Sequence, residues 1–128
     1  MDDPLFLTLD EVLQLHTESV EQFGGDAGIL DLNLIESAVA QPRQAFGGQY
    51  LHPDLASMAA AYLFHIASNH GFADGNKRTG TRAAYVFLAL NNCEVDFPLE
   101  ETEQLVLGVA RGDVSKEQVT EFMAKLLK

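Results

Sequence analysis

His70-Gly71-Phe72-Ala73-Asp74-Gly75-Asn76-Lys77-Arg78 is the stretch on which the fold of this chain turns. A histidine, a carboxylate, two glycines, an amide and two cations fall within nine residues. Leu55–Ala67 before it and Ala83–Leu90 after it are almost wholly apolar. The polar run therefore reads as a short loop between two buried helices, with a helix N-terminus pointing into it. Such a place can hold a phosphate, a metal ion and a general base together.

Working outward, the pattern is all helical. The preceding helix is expected from about Asp54 to Asn69, with Pro53 suited to its first turn. The following one is expected from about Asn76 to Asn91. Both read as central helices, since a helix apolar on nearly every side belongs inside its domain. Towards the N-terminus, Thr8-Leu9-Asp10-Glu11 has the form of a capping box, opening a helix that Gly24-Gly25 ends near Phe23. Asp31 is expected to cap a second helix through about Ala40, which Pro42 stops. Residues 41–53 have no helical period and read as a loop or short hairpin. Pro98 precedes a fifth helix to about Arg111, and Ser115-Lys116-Glu117-Gln118 opens a sixth. The expectation is one all-α domain over residues 1–128: a bundle of about six helices, a flap loop at 41–53 and a helix-loop-helix motif at 70–78.

At 128 residues the chain can bury a real core, and its 47% hydrophobic and 21% charged content is ordinary for a globular protein. No apolar run approaches the ~20 residues that span a membrane. Met1-Asp2-Asp3-Pro4 is acidic where a signal peptide is basic, and the lone Cys93 has no internal partner, so a cytoplasmic location is expected. A net charge of -11 argues against direct nucleic-acid binding. Against that background, three of the eight cations, Lys77, Arg78 and Arg82, fall within six positions. Either they cluster on a solvated helix face or they hold an anion.

Each motif residue has a bland reading beside a chemical one. Histidine takes protons from hydroxyls near neutral pH, so His70 is a candidate general base; it also suits a helix C-terminus, which favours cations. Phe72 reads as a core anchor. Asp74 fits a magnesium ion, or the N-cap of the next helix. Gly75 suits a positive φ or close backbone approach. Asn76 fits either a cap or a phosphate contact. The free N–H groups around Gly75, Asn76 and Lys77 form an anion site, to which Lys77 and Arg78 add charge. Arg82, four residues on, is placed to face the same way as Arg78. A histidine-rich metal site is a weak reading. His65 and His70 are five residues apart and point to different sides of a helix, while His16 and His52 lie far off in sequence.

His-x-Phe-x-Asp-Gly-Asn-Lys-Arg resembles the signature of the Fic/Doc family, most closely its Doc (death-on-curing) branch, and every fixed position is met. The resemblance extends over most of the chain. It implies an α-helical enzyme that moves part of a nucleotide onto a hydroxyl side chain of a target protein. Fic enzymes commonly attach AMP from ATP; Doc-type toxins act as kinases on elongation factor Tu and are blocked by a cognate antitoxin. Carried over, the resemblance implies His70 as general base, Asp74 as Mg2+ ligand, and Asn76, Lys77 and Arg78 with the loop amides as the ATP phosphate site. It also implies a flap of Ala45, Phe46, Gly47, Gly48, Gln49, Tyr50 and Leu51 that positions the target, as an added strand pairs with an extended edge.

Two departures separate the branches. Lys77 stands where the Fic pattern has a second glycine, and Thr81 where it has a second arginine. Arg82 comes one residue late, about 100° round the helix. Both favour phosphate transfer over AMP transfer. Gly71 replaces a proline common in Fic proteins and is expected to loosen the loop. The nearest match to the family's inhibitory motif, Thr17-Glu18-Ser19-Val20-Glu21-Gln22, fails at its last position and reads as the exposed side of the first helix. A separate antitoxin is therefore expected, with some basic residues in its contacting segment. The alternatives are AMP transfer and a non-catalytic regulatory subunit of the same fold.

Overall fold

The computed structural model describes residues 3–128; Met1 and Asp2, which carry part of the leader argument, lie outside them. Among the described residues there are six α-helices: α1 (Leu9–Phe23), α2 (Leu32–Ala40), α3 (Leu55–Asn69), α4 (Asn76–Leu90), α5 (Leu99–Arg111) and α6 (Lys116–Leu126). A single 3-10 turn, Gln41–Arg43, and a hairpin of β1 (Ala45–Phe46) and β2 (Gln49–Tyr50) join α2 to α3.

Local chemistry sets the boundaries. Thr8 and Glu11 make the reciprocal bonds of a capping box, as do Ser115 and Gln118. The Asp31 side chain accepts from the Asn33 N–H at 3.0 Å. The α3 cap is Asp54, boxed with Ser57, so Pro53 sits just outside the helix rather than in its first turn. The segment after Pro42 is the short-hairpin alternative: Ala45 pairs with Tyr50 and Phe46 with Gln49. Gly47 and Gly48 supply the two positive φ values, 59° and 80°, that a two-residue turn of matching twist demands.

α3 is the axis of the molecule, buried on nearly every side from Ala56 to Leu63, with α2, α4, α5 and α6 packed around it. α4 is less central than its apolar run implied. Ala83, Ala84, Phe87 and Leu88 are buried, whereas Tyr85 and Leu90 face out. Eight apolar residues in a row on a helix necessarily reach its outer side, and here no further element covers that side completely. α3 and α4 approach closely at Gly80, where an added Cβ would stand 2.9 Å from the Leu63 carbonyl oxygen. The N-terminal segment closes over the far end. The Leu7 N–H donates to the buried Tyr62 hydroxyl (2.9 Å), and the Asn91 amide bonds both backbone groups of Leu5. Burial pushes the Tyr62 phenol up to about 12, so the group stays neutral inside the core. No described helix is long and apolar enough to cross a membrane.

Candidate active site

The loop begins where α3 stops. His70 occupies the left-handed region (φ 53°, ψ 43°), which costs a non-glycine residue on the order of 1 kcal/mol. That turn leaves its imidazole exposed at the mouth of the loop. Phe72 then plunges inward, only 1% exposed, and anchors the loop as expected.

A second segment, absent from the sequence reading, straps the loop down. Residues 26–31 run antiparallel to residues 71–74. The Gly71 carbonyl accepts from the N–H groups of Leu30 (2.9 Å) and Asp31 (3.1 Å). Ile29 bridges Phe72, and the Ala73 N–H donates to the Gly28 carbonyl at 2.9 Å. The Asp26 N–H donates to Asp74 Oδ2 at 2.8 Å. Gly71 consequently does not loosen the loop. An added Cβ there would lie 2.5 Å from Ile35 Cγ1, so glycine is what lets the strap and α2 close against it. Gly24-Gly25 marked the end of α1, but nothing local indicated what the segment after it pairs with.

Asp74 does not cap α4. Gly75 is the N-cap, in the left-handed region (φ 84°, ψ 12°), and no side chain caps the helix. The first-turn N–H groups of α4 are thus open to an acceptor, with the helix dipole behind them. Asn76 clamps the loop: its Oδ1 accepts from the Phe72 N–H (3.0 Å) and its Nδ2 donates to the Phe72 carbonyl (2.9 Å). Its amide is committed, and its backbone N–H is what it offers to a ligand.

The three cations separate. Lys77 is exposed. The Arg78 guanidinium lies 4.3 Å from the centroid of the Phe23 ring, a cation–π contact with the end of α1. Arg82, one turn down, pairs with Glu18 at 3.7 Å, the one ion pair among the described residues. Both arginines do face the same way, towards α1. That places Glu18 of the 17–22 run against α4, while Ser19 of the same run is buried, so the run is not simply a solvated face.

His16, dismissed on sequence distance, belongs to this site. It is 2% exposed on the inner face of α1, stacked on Phe72 with centroids 3.7 Å apart and planes 9° off parallel. Its Nε2 donates to the Asp74 carbonyl at 2.7 Å. His52 and His65 also meet, but elsewhere. The Lys116 ammonium lies 3.1 Å from His52 Nε2 and 3.4 Å from His65 Nε2, beneath the flap's return to α3. Burial first and Lys116 second depress both, His65 to about 4. Among the described residues no three His, Cys, Asp or Glu side chains gather to hold a metal.

The flap is divided. Phe46, at 84% exposure, and Leu51 point outward. Tyr50 turns in, edge-on to Phe6, with its hydroxyl donating to Asp3 at 3.1 Å. Burial and the Asp3 carboxylate raise its phenol above the usual range.

Known proteins resemble this chain over most of its length. The Fic/DOC family model matches residues 6–88, which span the strap and the motif loop. The chain is 36% identical over 104 residues to the protein named Toxin Doc of Mycolicibacterium smegmatis, with 80% of each chain covered. It is 30% identical over 117 residues to Protein kinase doc of Escherichia phage P1, with 91% of each covered.

Proposed function

The chain belongs to the Fic/Doc family, and on that premise we propose that it is a Doc-like toxin that transfers the γ-phosphate of ATP to a hydroxyl side chain of a target protein. The observation that carries this reading is the uncapped N-terminus of α4, flanked by exposed Lys77 and by Arg78, with His70 and Asp74 on the same loop. Cations at a helix N-terminus oppose the dipole; a polyphosphate seated there satisfies the N–H groups and offsets both. The relatives named as a toxin and as a protein kinase support the same assignment.

In this reading the α4 amides, Lys77 and Arg78 hold the phosphates. His70 takes the proton of the incoming hydroxyl, and the exposure of its ring suits a base that must meet a protein substrate. Asp74 is the chain's ligand for Mg2+. One carboxylate without a surrounding cage fits that ion, which is commonly bound by one or two carboxylates together with substrate phosphates. Asp26 occupies only Oδ2, leaving Oδ1 for the metal. When bound, the ion neutralises charge on the transferring phosphoryl group. The outward edge of the flap, with Phe46 at its tip, positions the target segment.

The target proposed is elongation factor Tu, whose modification would block translation in the cytoplasm. The partner proposed is an antitoxin that covers the site. The test is incubation with ATP labelled at the α or the γ position in a bacterial lysate, with and without His70→Ala. Label on protein from γ-ATP alone, lost in His70→Ala, is the expected result. Label from α-ATP transfers the assignment to AMP transfer. No label from either, with wild type and His70→Ala equally toxic on expression, leaves a regulatory subunit.

A further inference from the structure

We infer that His16 is a positioning residue that orients the Asp74–Gly75 peptide and so presents the Gly75 N–H to the phosphate; the inference rests on the phosphate reading above. The peptide bond is planar and trans, so its C=O and the following N–H point in opposite directions. The Asp74 carbonyl points inward, held by His16 Nε2 at 2.7 Å. The Gly75 N–H must therefore point away from α1, and it makes no backbone hydrogen bond among the described residues.

The peptide needs this hold. Gly75 has no Cβ and sits at φ 84°, where glycine moves between wells easily, so the peptide before it is the one most prone to flip. A flip would aim a carbonyl oxygen at an anion. His16 is fixed for the task. It is buried, it is stacked on Phe72, and the Asn76 side chain clamps Phe72 in turn. The ring lies directly against this peptide, since a Cβ built on Gly75 would be in ordinary van der Waals contact with His16 Cδ2, at 3.4 Å. A carbonyl can only accept, so Nε2 carries a proton in this arrangement.

The experiment titrates Mg–ATP, and separately inorganic phosphate, into wild type, His16→Phe and His16→Gln, followed by calorimetry and by the Gly75 amide NMR signal. Phenylalanine keeps the stack and removes the donor; glutamine restores a donor. His16→Phe is expected to melt cooperatively yet bind Mg–ATP about tenfold more weakly, with a muted Gly75 response, and His16→Gln to recover part of both. Wild-type affinity and a normal Gly75 shift in His16→Phe would overturn the inference and leave the functional reading standing. Failure of wild type to bind either ligand would overturn the functional reading, and this inference with it. Should His16→Phe not fold, the glutamine variant and the wild-type tautomer decide. Long-range 1H–15N spectra must show Nε2 protonated, and a bare Nε2 sinks the proposal.

Discussion

The backbone N–H of Asp26 donates to the side chain of Asp74 across 48 residues of sequence, at 2.8 Å. The carboxylate proposed to hold the metal is therefore also the fastening of the strap. Asp74→Asn separates the two roles, because an amide oxygen still accepts from Asp26 while the charge is gone. The expected outcome is stability within about 0.5 kcal/mol of wild type by denaturant titration, with magnesium-dependent transfer reduced by roughly two orders of magnitude. Asp74→Ala is expected to lose the transfer and, in addition, about 1 kcal/mol of stability, since it removes the acceptor.

Arg78 stacks on Phe23 at 4.3 Å but makes no ion pair among the described residues, so its charge is free to act on a ligand. Arg78→Ala is expected to weaken ATP binding several-fold at low ionic strength and much less at high, because salt screens an exposed charge within about 10 Å at 0.1 M. Calorimetry at two salt concentrations reads this directly. Equal affinity of variant and wild type at both would remove Arg78 from the phosphate site.

Phe46 is 84% exposed at the tip of a hairpin and contributes nothing to the core. Phe46→Ala is expected to leave the melting temperature and ATP affinity unchanged while reducing transfer to the protein target. A variant that modifies its target at the wild-type rate would show that the flap tip does not touch it.

Acid should loosen the molecule from the side of α6. Burial first, then the neighbouring Lys116 charge, depresses His65 from 6.5 to about 4, and His52 moves the same way. In the unfolded chain these histidines take up protons below 6.5, whereas in the folded chain they resist doing so. Stability present above 6.5 is therefore lost as pH falls through about 4. Melting curves across that window should show a shallower decline for His65→Gln than for wild type. Parallel declines would mean that folding does not hold His65 below its ordinary value.

Wherever the decisive interaction is local, the sequence by itself determined the outcome. Capping boxes at Thr8 and Ser115 span three residues, and helix periodicity needs only one turn to declare itself, so α1, α2, α5 and α6 were legible. So were the anchor Phe72, the loop between α3 and α4, and the start of α4. What only the tertiary structure decided are the contacts between residues far apart in the chain. His16 meets the Asp74 carbonyl 58 residues away, residues 26–31 strap the motif loop, and Lys116 draws His52 and His65 together. The same holds for Gly71, which looked like slack and is a close packing point against Ile35. A spacing rule reads periodicity along one element. It cannot read which loop carbonyl a buried ring on another element will find, because that depends on how α1, α3 and α4 pack. The His70–Arg78 run thus declared a loop between two helices in sequence, while the contacts that hold that loop rigid came from elements that the run itself does not contain.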